Sequence, residues 1–127
     1  WEAGRRARWS EPQTTATLDG ETWRLDGTKV HVPDAIDASL VLVIAQSPEG
    51  RCGVFLVEPN AAGVTITETP TVDGTRKEGT VTMVGAEARP IGDDDTIDAI
   101  AATVDRLGVA MVVDGVGAAS RALELAV

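Results

Sequence analysis

Asp19-Gly20, set between Thr15, Thr17 on one side and Thr22, Trp23, Leu25 on the other, constrains this fold more than any other feature. Asp-Gly between β-favouring residues selects a tight hairpin, because Gly takes positive φ without a Cβ clash. Asp26-Gly27 repeats the signal and predicts a second turn, into a strand from Thr28 to Val32. Pro33-Asp34 stops that strand, since Pro has no ladder N–H to donate. Ser39 to Ala45 (S-L-V-L-V-I-A) is a continuous apolar run whose length and β-branching predict a strand buried on both faces. Ser47-Pro48-Glu49-Gly50 is a turn by composition. Cys52 to Val57 is the next strand, ended by Glu58-Pro59-Asn60, and Val64 to Thr69 alternates as a strand with one wet face does. Residues 70–78 read as a polar loop and Thr80 to Val84 as a last strand. About six or seven short strands with regular turns predict an antiparallel β-barrel or orthogonal sandwich over residues 13–85. No strand–helix–strand alternation is present, which excludes a Rossmann domain.

The pattern changes at Gly92. Asp93-Asp94-Asp95-Thr96 is a dense acidic stretch ahead of an apolar-periodic run, placed where carboxylates suit the positive end of a helix dipole. Ile97, Ile100, Ala101, Val104, Leu107, Met111 and Val112 recur at helical spacing, and one long helix is expected from near Asp95 to the end. Residues 1–92 are therefore expected to form the β-domain and residues 93–127 a helix. Gly108, Gly115 and Gly117 each weaken that helix by about 1 kcal/mol relative to Ala. A helix apolar around much of its circumference calls for other helices to cover it.

Composition narrows the function. With 11 Lys and Arg against 20 Asp and Glu, the formal charge is −9, which argues against nucleic-acid binding. Arg5, Arg6 and Arg8 are the one basic cluster, readable either as a solvated tail or as an anion-binding segment. Cys52 is the only cysteine, so no internal disulfide can form, and a small buried residue is its expected role. No metal site is expected. No apolar run reaches the ~18 residues of a membrane helix, no signal peptide is recognisable, and the cytoplasm is the expected location. The chain starts at Trp1 rather than Met and stops on Ala126-Val127, which leads to the expectation of a piece of something longer.

The order of features resembles the acyl-CoA dehydrogenase family. Thr14-Thr15-Ala16-Thr17, Asp19-Gly20 and Trp23-Arg24-Leu25-Asp26-Gly27-Thr28-Lys29 match that family's T-x-A, D-G turn and W-x-L-N/D-G-x-K run. Gly53-Val54-Phe55-Leu56-Val57, Gly63-Val64 and the loop Asp73-Gly74-Thr75-Arg76 continue the match, and Val116 to Leu123 resembles the first long helix of the family's C-terminal bundle. The resemblance implies a middle β-domain beside which FAD and an acyl-CoA thioester meet. It also implies an electron-transfer acceptor and a homo- or hetero-oligomer built through the helical domain.

Trp1-Glu2-Ala3-Gly4 takes the place of the start of the family's T-E-P-G-x-G-S flavin segment: Glu2 and Gly4 match, Trp1 replaces the flavin-contacting Thr, and Arg5-Arg6-Ala7-Arg8 replaces the G-S part. His31, Val32 and Pro33 occupy the second flavin segment, aromatic-x-Thr in the family. The resemblance thus makes Trp1, His31, Val32 and Pro33 the candidate cofactor-binding residues. His31 can stack on the flavin ring, whereas Pro33 offers neither hydroxyl nor N–H. The family's chemistry needs a carboxylate to take the substrate's α-proton. An ungapped count from Val116-Gly117 puts Leu107 at the position where some members carry it, with Asp105 two residues away, so no catalytic residue is assigned within the chain. Three readings stay open: part of a dehydrogenase completed by segments not in this sequence, a flavin-poor structural subunit of a hetero-oligomer, and an unrelated β-barrel binding module.

Overall fold

A computed structural model of the chain describes residues 1–4, 8–92 and 96–126. The chain divides into two compact units, Trp1–Thr96 and Ile97–Val127. The expected boundary after Gly92 adjoins Asp93-Asp94-Asp95, and that acidic helix cap, like Arg5-Arg6-Ala7, lies outside the described residues.

The first unit contains β1 (Thr15–Asp19), β2 (Thr22–Pro33), β3 (Val41–Gln46), β4 (Cys52–Val57), β5 (Val64–Thr69) and β6 (Glu78–Ile91). β1 and β2 form the expected antiparallel hairpin over Asp19-Gly20, with Asp19 opposite Thr22 and Gly20 at φ 64°. β2 pairs with β6, β6 with β4 and β4 with β3, all antiparallel. One parallel contact, Thr15 beside Gln46, joins β3 to β1 and closes a five-stranded barrel. β5 pairs with the first half of β6 outside the ring. The mainly β fold with a C-terminal helix expected from the sequence is the one that forms.

Three local expectations are corrected. Asp26-Gly27 does not turn the chain: β2 runs through it as one strand of 12 residues, and the irregularity is a β-bulge between Leu25 and Gly27. The Asp26 carboxylate accepts the Gly85 N–H at 2.8 Å, which satisfies a donor the bulge removes from the ladder. Gly27 has φ 150°, and a Cβ there would lie 2.7 Å from Thr14 Oγ1 and 2.8 Å from Thr14 Cα, so the Gly serves a close approach of two backbones. β3 is buried on one face only, with Val41, Val43 and Ala45 inside and Leu42 64% exposed. The last strand spans 14 residues, because Gly85 at φ 57° lets the chain bend and carry on past Val84 to reach β4.

The barrel interior is narrow and filled by small or branched residues. Ala16, Leu25, Val43, Ala45, Val57, Val81, Met83 and Ala86 are almost wholly buried in one cluster. Full burial of Leu25 or Val57 stabilises the unit by about 1.5–3 kcal/mol each. Trp23 tilts against Phe55 at a ring separation of 5.3 Å and 57°, a geometry that suits the aromatic quadrupoles.

The second unit is one helix, α1 (Ile97–Ala126), of 30 residues. Thr103 back-bonds to Ala99 O at 2.8 Å and Arg121 pairs with Glu124 at 2.8 Å along the helix. A Cβ at Gly108, Gly115 or Gly117 would meet nothing within 4 Å. Leu107, Met111, Val112, Val116 and Leu123 are exposed, so its apolar surface remains as large as the sequence indicated. Among the described residues no helix is long and apolar enough to cross a membrane.

Replacing Gly27 with Ala should destabilise the β-unit by about 2 kcal/mol or more, since the new methyl must displace Thr14 backbone and adopt a rare φ. Urea denaturation followed by tryptophan fluorescence measures it, and a change under about 0.5 kcal/mol would show that the two backbones separate freely.

Candidate functional site

His31 has φ 53° and sits in a second bulge of β2, where the register with β6 shifts between Lys29 and Val32. A non-Gly residue in the left-handed region is uncommon, with His among the more tolerant types, and a bulge of this kind re-aims a side chain. Here it turns the imidazole outward, 58% exposed, where Nδ1 lies 2.7 Å from Glu78 Oε2. Glu78 opens β6 directly opposite Pro33.

The N-terminal segment lies along the same stretch of β2, with Val30 N–H donating to Trp1 O at 2.8 Å. Trp1, Glu2, Ala3, Gly4, Val30, His31 and Glu78 line an open groove of about 700 Å³. That volume falls in the ~300–1,000 Å³ range of ligand clefts. Two of the four expected cofactor contacts, Trp1 and His31, come together there. Val32 instead packs against the core cluster, and Pro33 stands exposed at the end of β2. The G-S counterpart at residues 5–8 lies largely outside the described residues.

Glu2 fixes the groove's floor. Its Oε1 accepts from Thr14 N–H at 2.8 Å, Thr14 Oγ1 at 2.7 Å and Lys29 Nζ at 2.7 Å, and its Oε2 accepts from Gln13 N–H at 2.7 Å. The two charged side chains are nearly enclosed, Glu2 9% and Lys29 12% exposed. Burial alone raises a carboxyl pKa, but the hydrogen bonds from Lys29, Gln13 and Thr14 outweigh it and hold Glu2 at about 2. Burial lowers the Lys29 pKa, with Glu2 pulling it back up. Glu2 is therefore ionised at neutral pH.

The groove combines flat rings with few hydrogen-bond donors. Trp1 and His31 present flat rings suited to stacking, and the Trp1 indole adds one N–H donor. Glu78 brings only acceptors. Sequence reasoning missed Glu78, which it assigned to a polar loop, and gave Lys29 no task although it closes the W-R-L-D-G-T-K run. Their partners lie 47 and 27 residues away in sequence, beyond the reach of local patterns.

The family model described as "Acyl-CoA dehydrogenase, middle domain" matches residues 2–87. The chain belongs to the acyl-CoA dehydrogenase family. Among solved structures, a variant of the Tcur3481-Tcur3483 steroid ACAD is 38% identical with a TM-score of 0.60, over 65% of this chain and 22% of that one. The ChsE4-ChsE5 complex from Mycobacterium tuberculosis is 32% identical with a TM-score of 0.55, over 61% of this chain and 21% of that one. An acyl-CoA dehydrogenase complexed with FAD from Bacillus anthracis is 25% identical with a TM-score of 0.63, over 70% of this chain and 16% of that one. This member of the family therefore spans about a fifth of the length of the solved relatives it matches. No curated protein matches it.

The Glu2 shift has a signed consequence for stability. A carboxyl whose folded pKa lies below its ordinary 4.5 stabilises the fold above that value, and the contribution fades as pH falls towards the folded value of about 2. With solvent screening allowed for, it amounts to the order of 2 kcal/mol at neutral pH. Glu2→Gln should remove it and flatten the loss of stability between pH 5 and pH 2, each taken as approximate limits. Urea denaturation of both proteins across that range checks this, and parallel curves would contradict it.

Proposed function

We propose that this chain is the middle β-domain and the first helix of the C-terminal helical domain of a flavin-dependent acyl-CoA dehydrogenase, a cytoplasmic oxidoreductase that introduces a double bond between the α and β carbons of an acyl-CoA thioester. The observation that carries the reading is the groove where Trp1 and His31 converge, at the two positions that correspond to the family's flavin segments. A bound FAD would supply the acceptor for the hydride from the substrate's β-carbon, with a separate electron-transfer protein as the onward acceptor. Trp1 and His31 offer their ring faces to the flavin, and Glu78 holds the imidazole by Nδ1 so that Nε2 faces away from the carboxylate. The small side chains of Ala3 and Gly4 leave room for a flat ligand to approach the backbone. The 38% identity to a steroid ACAD favours a polycyclic acyl group over a simple straight chain.

A second reading is a flavin-poor subunit that supports a catalytic partner. Pro33, which cannot donate where the family places a Thr, and the Glu78 carboxylate at the edge of the groove favour it. The loss of two or three hydrogen bonds at about 1 kcal/mol each weakens flavin about ten- to a hundredfold. The 32% identity to a chain of a two-component complex points the same way.

The visible spectrum of the full-length protein, purified alone and with a co-encoded homologue, separates the readings. A flavin band in the lone protein supports the first, and a band only in the mixture supports the second. In either case Pro33→Thr with His31→Trp should raise flavin occupancy, and unchanged occupancy would show that these positions do not meet the cofactor. Asp105 lies exposed on α1 and is assigned no proton-transfer role. Asp105→Asn should change kcat by less than about tenfold in the active assembly. A loss of about a thousandfold with flavin retained would make Asp105 the base.

A further inference from the structure

Three separate pieces of chain meet at the Glu2 carboxylate. The first is the segment Trp1–Gly4 that forms one wall of the groove. The second is Gln13-Thr14, the lead-in to β1, whose N–H groups Glu2 accepts at 2.7 and 2.8 Å. The third is Lys29 on β2, at 2.7 Å, two residues before His31 in the opposite wall. Both Glu2 oxygens are taken up by the protein, so the carboxylate has little capacity left for a ligand although it borders the groove.

The bulge that presents His31 begins at Lys29, the last residue in register with β6 before the shift. A buried charge that held no partner would be driven towards water, and Lys29 leaving the interior would carry the start of that bulge with it. On the other wall, Val30 N–H donates to Trp1 O at 2.8 Å and the Trp1 nitrogen donates to Val30 O at 3.1 Å, so β2 and the N-terminal segment are tied by two backbone bonds and a third time through Glu2.

We infer that Glu2 and Lys29 are positioning residues of the groove: their enclosed ion pair sets the separation between the Trp1 wall and the His31 bulge, and hence the fit of a flat ligand between them. This rests on the reading of the groove as flavin-facing. The pair itself takes no part in proton or hydride transfer. It acts through the backbone on either side of it.

The experiment uses the full-length protein, with its partner subunit where one co-purifies, and three variants: Glu2→Gln, Lys29→Met and Val43→Ala. Val43 is buried in the core, 1% exposed, away from the groove, so its truncation lowers stability by a packing defect alone. Two quantities are read at neutral pH, the dissociation constant for FAD and the ring resonances of His31, identified in the full-length protein as the signals that a His31→Gln variant loses. Glu2→Gln and Lys29→Met should each weaken FAD by about tenfold or more and displace the His31 resonances, while Val43→Ala leaves FAD within about twofold and His31 in place. If the charge variants behave as Val43→Ala does, losing stability only, the pair is structural and the inference is overturned. Should Glu2→Gln fail to fold, the double variant Glu2→Gln/Lys29→Met, which leaves neither charge buried, replaces it. Should the unaltered protein bind no FAD, the flavin reading falls on that result alone. The His31 resonances then decide the positioning role, upheld if both charge variants move them and Val43→Ala does not, overturned if the charge variants leave them in place.

Discussion

Thr14 is the point on which the closed barrel depends. It is 1% exposed, and each of its polar groups has a partner. Its N–H and hydroxyl donate to Glu2 at 2.8 and 2.7 Å, and its carbonyl accepts the Gln46 N–H at 2.9 Å. That last bond accompanies the single parallel contact through which β3 and β1 shut the ring. The Thr14 Cα also fills the space a side chain at position 27 would need. A buried hydroxyl or amide without a partner costs roughly 1–3 kcal/mol, so an unpaired Thr14 would be strongly disfavoured. Ring closure, the first bulge of β2 and the floor of the groove are three expressions of one satisfied residue. The groove cannot widen on one side without straining the barrel's weakest seam.

That dependence explains what could be read in advance and what could not. The Asp19-Gly20 hairpin, the alternating β5 and the long helix follow from interactions within a few residues, and they formed as read. Asp26-Gly27 carries the same local signal as Asp19-Gly20 and does something else. The difference lies in Thr14 and Gly85, which meet it from distant parts of the chain and stabilise a bulge in place of a turn. The apolar run at Ser39 to Ala45 suggested burial on both faces, yet a small barrel has only one inside, and Leu42 stays out. At the groove, Trp1 and His31 were identified through the family's motifs. Glu78 was not, because a carboxylate next to a polar loop has no local mark of its partner.

The chain has the barrel of the family's middle domain. Gly27 stands where two of its backbones approach closely, and Glu2 and Lys29 form an enclosed ion pair beside it. Of the residues that the resemblance marks, Trp1 and His31 bring rings to the groove, while Pro33 stays at the exposed end of β2. The barrel follows from the folding constraints, and the cofactor question turns on the side chains placed on it.

β5 stands outside the ring, the last strand of the sheet order, and among the described residues no strand pairs with its far side. That side of β5 is therefore an open strand edge beyond the ring. Such an edge can recruit any extended chain that comes alongside, including another molecule of the same kind. Its composition limits that. The strand is six residues long, Thr65, Thr67 and Glu68 are exposed, and Glu68 would be brought beside an identical charge or stripped of water if two edges joined. This edge is therefore guarded against self-association by a carboxylate and two hydroxyls that contribute nothing to the core.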